Sequence, residues 1–180
     1  TNTWDGSGGN NWNTASSWSL NVVPTAAHDV VIPNGISGTI TVNTAAVCKS
    51  FTMNGGGSSN TVSISGSNSL TVTNAVTINA GTGMGDNKIL AVNAGTLSCA
   101  SISMAATGSG FRSVEVSLST GTINVPGNIT MGDNNNYVRF TSNGNLFIGG
   151  NISNGNLIPA SGTVTYNGAA EQIITGNNTS

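Results

Sequence analysis

From Gly38 onward one short phrase keeps returning: "GTITV", "NSLTV", "GTLSC", "GTINV", "GNLFI" and "GTVTY". The first apolar residues of these copies are Ile40, Leu70, Leu97, Ile123, Leu146 and Val164, spaced by 30, 27, 26, 23 and 18 residues. A second phrase follows each copy: "SFTMNG", "AVTINAG", "SISMAATG", "NITMGD", "NISNG" and "EQIITG". A third apolar group comes next in four copies: "TVSIS", "KILAV", "SVEVSL" and "YVRF". Within the phrases apolar and polar residues alternate, as in Ile40, Thr41 and Val42, and period two is the pattern of a half-buried strand. Turn residues separate them, including Asn-Gly at Asn54, Asn143, Asn154 and Asn167. A three-strand unit of this size cannot bury its apolar face alone and must stack on its neighbours. The expected fold is therefore all-β, a right-handed parallel β-helix (β-solenoid) of about six shortening coils. Equivalent strands would lie about 4.8 Å apart.

An antiparallel sandwich also has short strands at even spacing. The second phrase argues against it. Its alternate positions are apolar (Phe51, Val76, Ile102, Ile129, Ile152, then Met53, Ile78, Met104, Met131), and the residue between them is always a small hydroxyl: Thr52, Thr77, Ser103, Thr130, Ser153. Direct stacking gives each position the same environment in every coil, whereas a sandwich gives no reason for that constancy. On this scaffold "CKSF" and "CASI" align, which puts Cys48 and Cys99 two coils apart. A separation of about 9.6 Å exceeds the roughly 7 Å limit for a disulfide, so two free, mostly buried thiols are expected.

Composition narrows the function. Gly, Asn, Ser and Thr supply 98 of the 180 residues, only 6% are charged, and the formal net charge is -2. Four Lys plus Arg cannot provide the basic footprint of a nucleic-acid binder. No apolar run is long enough to cross a bilayer, so no membrane insertion is expected. No signal peptide is visible at the first residues, which suits a mature form or an excised piece.

All three tryptophans, Trp4, Trp12 and Trp18, fall in the opening "TWDGSGGNNWNTASSW". A solenoid must cover the apolar core and free strand edges of its first coil. Residues 1–36 are accordingly expected to form a capping segment with a lead-in strand around Val30 to Ile32, and residues 37–180 the coils. A ligand platform made of Trp4, Trp12 and Trp18 is the alternative, since exposed rings stack on sugars.

The stretch "TWDGSGGNNWNTASSWSLNVVPTAAHDVVIP" resembles the opening of β-strand-repeat bacterial surface proteins, which include autotransporter-like passengers and the large adhesin-type surface proteins of gliding Bacteroidota. Trp4, Gly6, Trp12, Asn13, Trp18, Ser19, Val23, Pro24, Asp29, Val30, Val31, Ile32 and Pro33 carry the likeness, and Ser17 departs from it where Asn is usual. "GTVTYNGAAEQIITG" is similar to their C-terminal repeats. The resemblance implies a secreted or cell-surface β-helical segment, often of a larger polypeptide, with no catalytic residues.

The chemistry-bearing residues are few. His28 is the single histidine, and no nucleophile-elbow motif accompanies it. One His and two separated Cys do not make a zinc site. "MGDN" occurs twice and places Asp86 and Asp133 at matching loops. They are the one candidate carboxylate pair of a polysaccharide-degrading β-helix, with Lys88 and Arg112 nearby, and also the one candidate calcium site. A single Asp per loop more simply makes a turn, so no cofactor is expected beyond that calcium candidate. Hydroxyl pairs at Thr39/Thr41, Ser69/Thr71, Thr96/Ser98 and Thr163/Thr165 raise an ice-binding alternative, interrupted at Asn124, Asn145 and Phe147. The reading that accounts for most residues is a non-enzymatic extracellular rod whose partners are glycans, cell surfaces or copies of itself, with an end-to-end homo-oligomeric filament as a variant.

Overall fold

In the computed structural model, which describes residues 1–108 and 110–178, the chain is an all-β solenoid whose strands stack in parallel. The lead-in part comprises β1 (Asn2–Thr3), a single 3-10 turn (Ala15–Ser17), β2 (Asp29–Ile32) and β3 (Gly38–Val42). The following coils comprise β4 (Ala45–Cys48), β5 (Ser50–Met53) and β6 (Asn60–Ile64); β7 (Ser69–Ile78) and β8 (Asn87–Val92); β9 (Thr96–Met104) and β10 (Ser113–Leu118). Then come β11 (Thr122–Val125), β12 (Ile129–Met131) and β13 (Asn136–Phe140); β14 (Asn145–Ile148), β15 (Ile152–Ser153) and β16 (Asn156–Ile158); and finally β17 (Thr163–Tyr166) and β18 (Asn177–Asn178).

These strands build three faces. The first face runs β4, β7, β9, β11, β14, β17, and the second runs β1, β2, β5, β7, β9, β12, β15. β7 and β9 serve both faces because each turns the corner without breaking, at the cost of a bulge between Val72 and Ala75. The third face runs β3, β6, β8, β10, β13, β16, β18.

Register follows the expected alternation. Leu70, Leu97, Ile123, Leu146 and Val164 are successive partners, as are Phe51, Val76, Ile102, Ile129 and Ile152. The hydroxyl column Thr52, Thr77, Ser103, Thr130, Ser153 also stacks as expected. The inward residues form one continuous buried core from Trp4 to Leu157.

One expectation fails. Ile40 does not join the Leu70 column; its partner is Val62, so "GTITV" is a third-face strand. Ala46 pairs with Leu70 instead, and "DVVI" is the second-face strand of the same lead-in coil as β3. The first interval of the column is thus 24 residues, and coils lengthen before they shorten. The strand at Asp29–Ile32 is itself a rung of the stack, in register with β5.

The glycine that opens most first-face phrases has a steric cause. A Cβ on Gly121 would lie 2.3 Å from the Gly95 carbonyl oxygen, and one on Gly95 would lie 2.4 Å from the Asn68 oxygen. From Gly95 onward a side chain at this corner would collide with the coil before it.

The tryptophan loop closes the first coil. β1 pairs with the outer edge of β2, Trp4 N–H donates to the Val31 carbonyl (2.9 Å), and Trp12 N–H donates to the Thr41 carbonyl on β3 (2.8 Å). Trp18 meets Trp4 edge-on at 4.9 Å and Trp12 at 4.8 Å, and Trp12 lies 6.1 Å from Phe51 in the next coil. Indole Nε1 of Trp18 donates to the Trp12 carbonyl. All three side chains are buried. Trp12→Ala is therefore expected to cost about 3–5 kcal/mol in a denaturant titration, the price of truncating a buried aromatic ring; an unchanged midpoint would show that the ring is not part of the core.

Candidate functional site

The ligand-platform alternative required open indole faces. Trp4, Trp12 and Trp18 are 2%, 0% and 1% exposed, so no ring presents a face to a sugar.

The two "MGDN" phrases place their methionines differently. Met131 ends β12 and is buried against Met104, whereas Met84 stands 82% exposed in a longer loop. Asp86 and Asp133 do lie at one corner, between the second and third faces, where each stabilises a loop. Asp86 accepts from Gly83 N–H (2.5 Å). Asp133 Oδ2 accepts from Thr107 N–H (2.5 Å), Thr107 Oγ1–H (2.9 Å) and Gly108 N–H (3.0 Å), and its Oδ1 accepts from Asn135 N–H (2.9 Å). Burial alone would push the Asp133 carboxyl up, but donors from Asn135, Gly108 and Thr107 outweigh it and hold the group below the usual carboxylate range.

The cations at this corner face carbonyls. Arg112 Nε donates to Gly83 O and Nη1 to Thr107 O, both at 3.1 Å, so it clips two successive loops. Lys88 is fully buried and donates from Nζ to the Ser58 carbonyl one coil below. Burial lowers its pKa, and the negative charge of Asp86 opposes that shift. Among the described residues no three His, Cys, Asp or Glu side chains gather.

His28 belongs to a local turn, its Nδ1 accepting from Thr25 N–H (3.0 Å). Asp29 beside it bonds Ser50 Oγ–H (2.7 Å) and pairs loosely with Lys49 (3.6 Å) at the surface. Cys48 and Cys99 are free, buried and separated in register by Val72, as their spacing implied. Burial pushes both thiols up to about 12.

The hydroxyl columns are rearranged. Thr39 and Thr41 stack on Thr61 and Ser63 of the third face, away from Ser69 and Thr71. The ice-binding array therefore loses its first rung, and Asn124 and Phe147 follow Ser98 in the outward row Thr71, Ser98, Asn124, Phe147, Thr165.

That row borders a feature invisible from phrase order. Two shallow, open depressions of about 410 and 390 Å³ adjoin at the corner of the first and second faces, sharing Asn124 and Pro126. Thr71, Thr73 and Ser98 line one, and Phe147, Asn167 and Ala169 the other. Together they make a groove crossing five strand levels, about 19 Å along the stack. Every lining residue named in it is uncharged.

The fold and this site define a parallel β-solenoid with a neutral lateral groove. Residues 3–97 match the family described as Domain of unknown function (DUF8693); the match spans more than half of the chain, and the protein belongs to that family. No curated protein and no solved structure matches the chain.

Two tests follow from the corner and the thiols. Asp133→Ala removes the side-chain acceptor that the N–H groups of Thr107, Gly108 and Asn135 share and is expected to cost about 1–3 kcal/mol, while added calcium leaves the melting temperature of the unmodified protein unchanged. A calcium-induced rise of many degrees would show that the loop is a cation site. The raised thiol pKa values make stability fully present below about 9, where thiols ionise in the unfolded chain, and lost progressively as pH climbs toward about 12. Unfolding curves between these limits read the loss, and Cys48→Ala with Cys99→Ala flattens it.

Proposed function

We propose that this chain is a non-enzymatic structural and adhesive segment of an extracellular bacterial surface protein. It is a rigid rod whose side groove grips a linear, neutral glycan. The observation that carries this reading is the groove at the first corner. Its walls offer amides at Asn124 and Asn167, hydroxyls at Thr71, Thr73 and Ser98, and one aromatic side chain, Phe147, in a row parallel to the stack. Hydroxyl and amide partners satisfy sugar hydroxyls, and an aromatic surface takes the apolar face of a pyranose. An uncharged lining suits a neutral polymer better than an acidic one.

The engagement of these carboxylates in structural bonds supports the non-enzymatic part. Glu115 pairs with Arg139 (3.2 Å) on the third face, Asp29 pairs with Lys49 near the lead-in coil, and Asp86 and Asp133 accept from loop backbone. A hydrolase brings a general acid, a base and the substrate to one place. The resemblance of the tryptophan segment to surface-protein repeats supports the extracellular setting. An end-to-end filament is less favoured, because the tryptophan loop already occupies the outer edges of β2 and β3.

Binding to a panel of neutral and acidic polysaccharides tests the reading. Retention on a neutral glycan is expected, with no new chain ends released. Asn124→Ala combined with Phe147→Ala should weaken retention about tenfold or more, equivalent to about 1.4 kcal/mol, while leaving the fold intact. Turnover of any polysaccharide, or retention indifferent to this pair, overturns it.

A further inference from the structure

We propose that Lys88 and Asn60 join in an intramolecular isopeptide bond that welds two successive coils, with Asp86 carrying the protons. The two residues are register partners on adjacent parallel strands, β6 and β8, about 4.8 Å apart along the stack. Both side chains point inward, Lys88 fully buried and Asn60 2% exposed. The lysine reaches down to the coil that holds Asn60, because its Nζ donates to Ser58 O, two residues before the asparagine. Nδ2 and Oδ1 of Asn60 are both buried and have no hydrogen-bond partner.

A comparison within the same column isolates the anomaly. It continues through Val114 to Asn136, which is equally buried. Asn136 is satisfied: its Oδ1 accepts from Gly132 N–H (2.6 Å) and its Nδ2 donates to Ala105 O (3.2 Å). A structural asparagine is thus accommodated here with its bonds made. The orphaned one is the one beside the lysine. A buried amide without partners is costly and calls for an explanation.

The chemistry balances without any further reactant. Desolvation favours the neutral amine of Lys88, which is the nucleophilic form. Its Nζ attacks Cγ of Asn60, a C–N bond forms, and the Cγ–Nδ2 bond breaks. Asp86 lies two residues before Lys88, at the corner that leads into the same strand, and is 8% exposed. It takes a proton from the attacking nitrogen and delivers one to the departing nitrogen, which leaves as ammonia. The neutral amine and the orphan amide become one secondary amide and one ammonia, with no net change of charge. The reacting groups are held together by the fold, which supplies the high effective concentration such a step needs. This inference is independent of the glycan reading, since none of its residues lines the groove.

Intact-mass measurement of the folded protein tests it. The expected mass is lower than that of the sequence by one ammonia. Proteolytic mapping should recover a branched peptide joining the segments around Asn60 and Lys88. Asn60→Ala and Lys88→Met should each restore the full mass, and Asp86→Asn, shown to be folded by circular dichroism, should slow or abolish the link. The unmodified sequence mass, deamidation of Asn60 to Asp, or an ammonia loss mapping instead to a succinimide at an Asn-Gly site such as Asn54 overturns the proposal. A link formed at full rate in folded Asp86→Asn overturns the part given to Asp86.

Discussion

Everything in this molecule depends on parallel strands stacking in register, so that each inward apolar side chain rests on its equivalent in the coils above and below. No coil encloses a core by itself; the core exists only between coils. This constraint explains the corner glycines, since register forces backbone onto backbone where successive turns superpose. It also explains why the largest rings lie at the start of the chain. Among the described residues the lead-in coil has β2 and β3 but no strand pairing with β4 from below, and three interlocked indoles are buried at that end, tied to β2 and β3 and packed toward Phe51. The glycine of the Trp4-x-Gly6 motif fits the same logic. It has φ +72, and a Cβ there would lie 3.2 Å from Trp4 Nε1.

The few charges serve the stack as well. The chain has four Lys plus Arg, and each reaches back one coil: Lys49 to Asp29, Lys88 to Ser58, Arg112 to Gly83 and Arg139 to Glu115. Asp133 does the same through Thr107. Exposed pairs such as Lys49 with Asp29 add little to stability. Those that grip loop carbonyls or N–H groups at the corner between the second and third faces pin segments that have no strand ladder of their own.

Strand type, parallel stacking and the second-face column were legible because alternation and a fixed hydroxyl both report burial directly. Which face a phrase belongs to was less legible. "GTITV" and "GTINV" differ by one residue, yet the first lies on the third face and the second on the first. Period two is common to all faces, so only the order of phrases assigns them, and the lead-in coil lacks its first member. The corner was harder still. In "DNKIL" lysine is the residue type that ordinarily faces solvent, but the partners of β8 turn Lys88, Leu90 and Val92 inward. Loop length between the faces, not composition, sets that phase. The groove was beyond sequence reasoning because it forms where five coils superpose outward residues that are far apart in the chain.

The taper of the coils has a mechanical consequence. In a solenoid the ladder hydrogen bonds point along the long axis, so tension applied to the two ends loads the interfaces in series, and the weakest yields first. Among the described residues, eight pairs join β7 to β9, whereas two join β16 to β18 and a single bridge links Ile152 to Ile174. Under load an interface joined by few ladder pairs lets go before one joined by many, while the rest of the stack keeps its register. A stack of this kind yields in steps graded by ladder length rather than all at once.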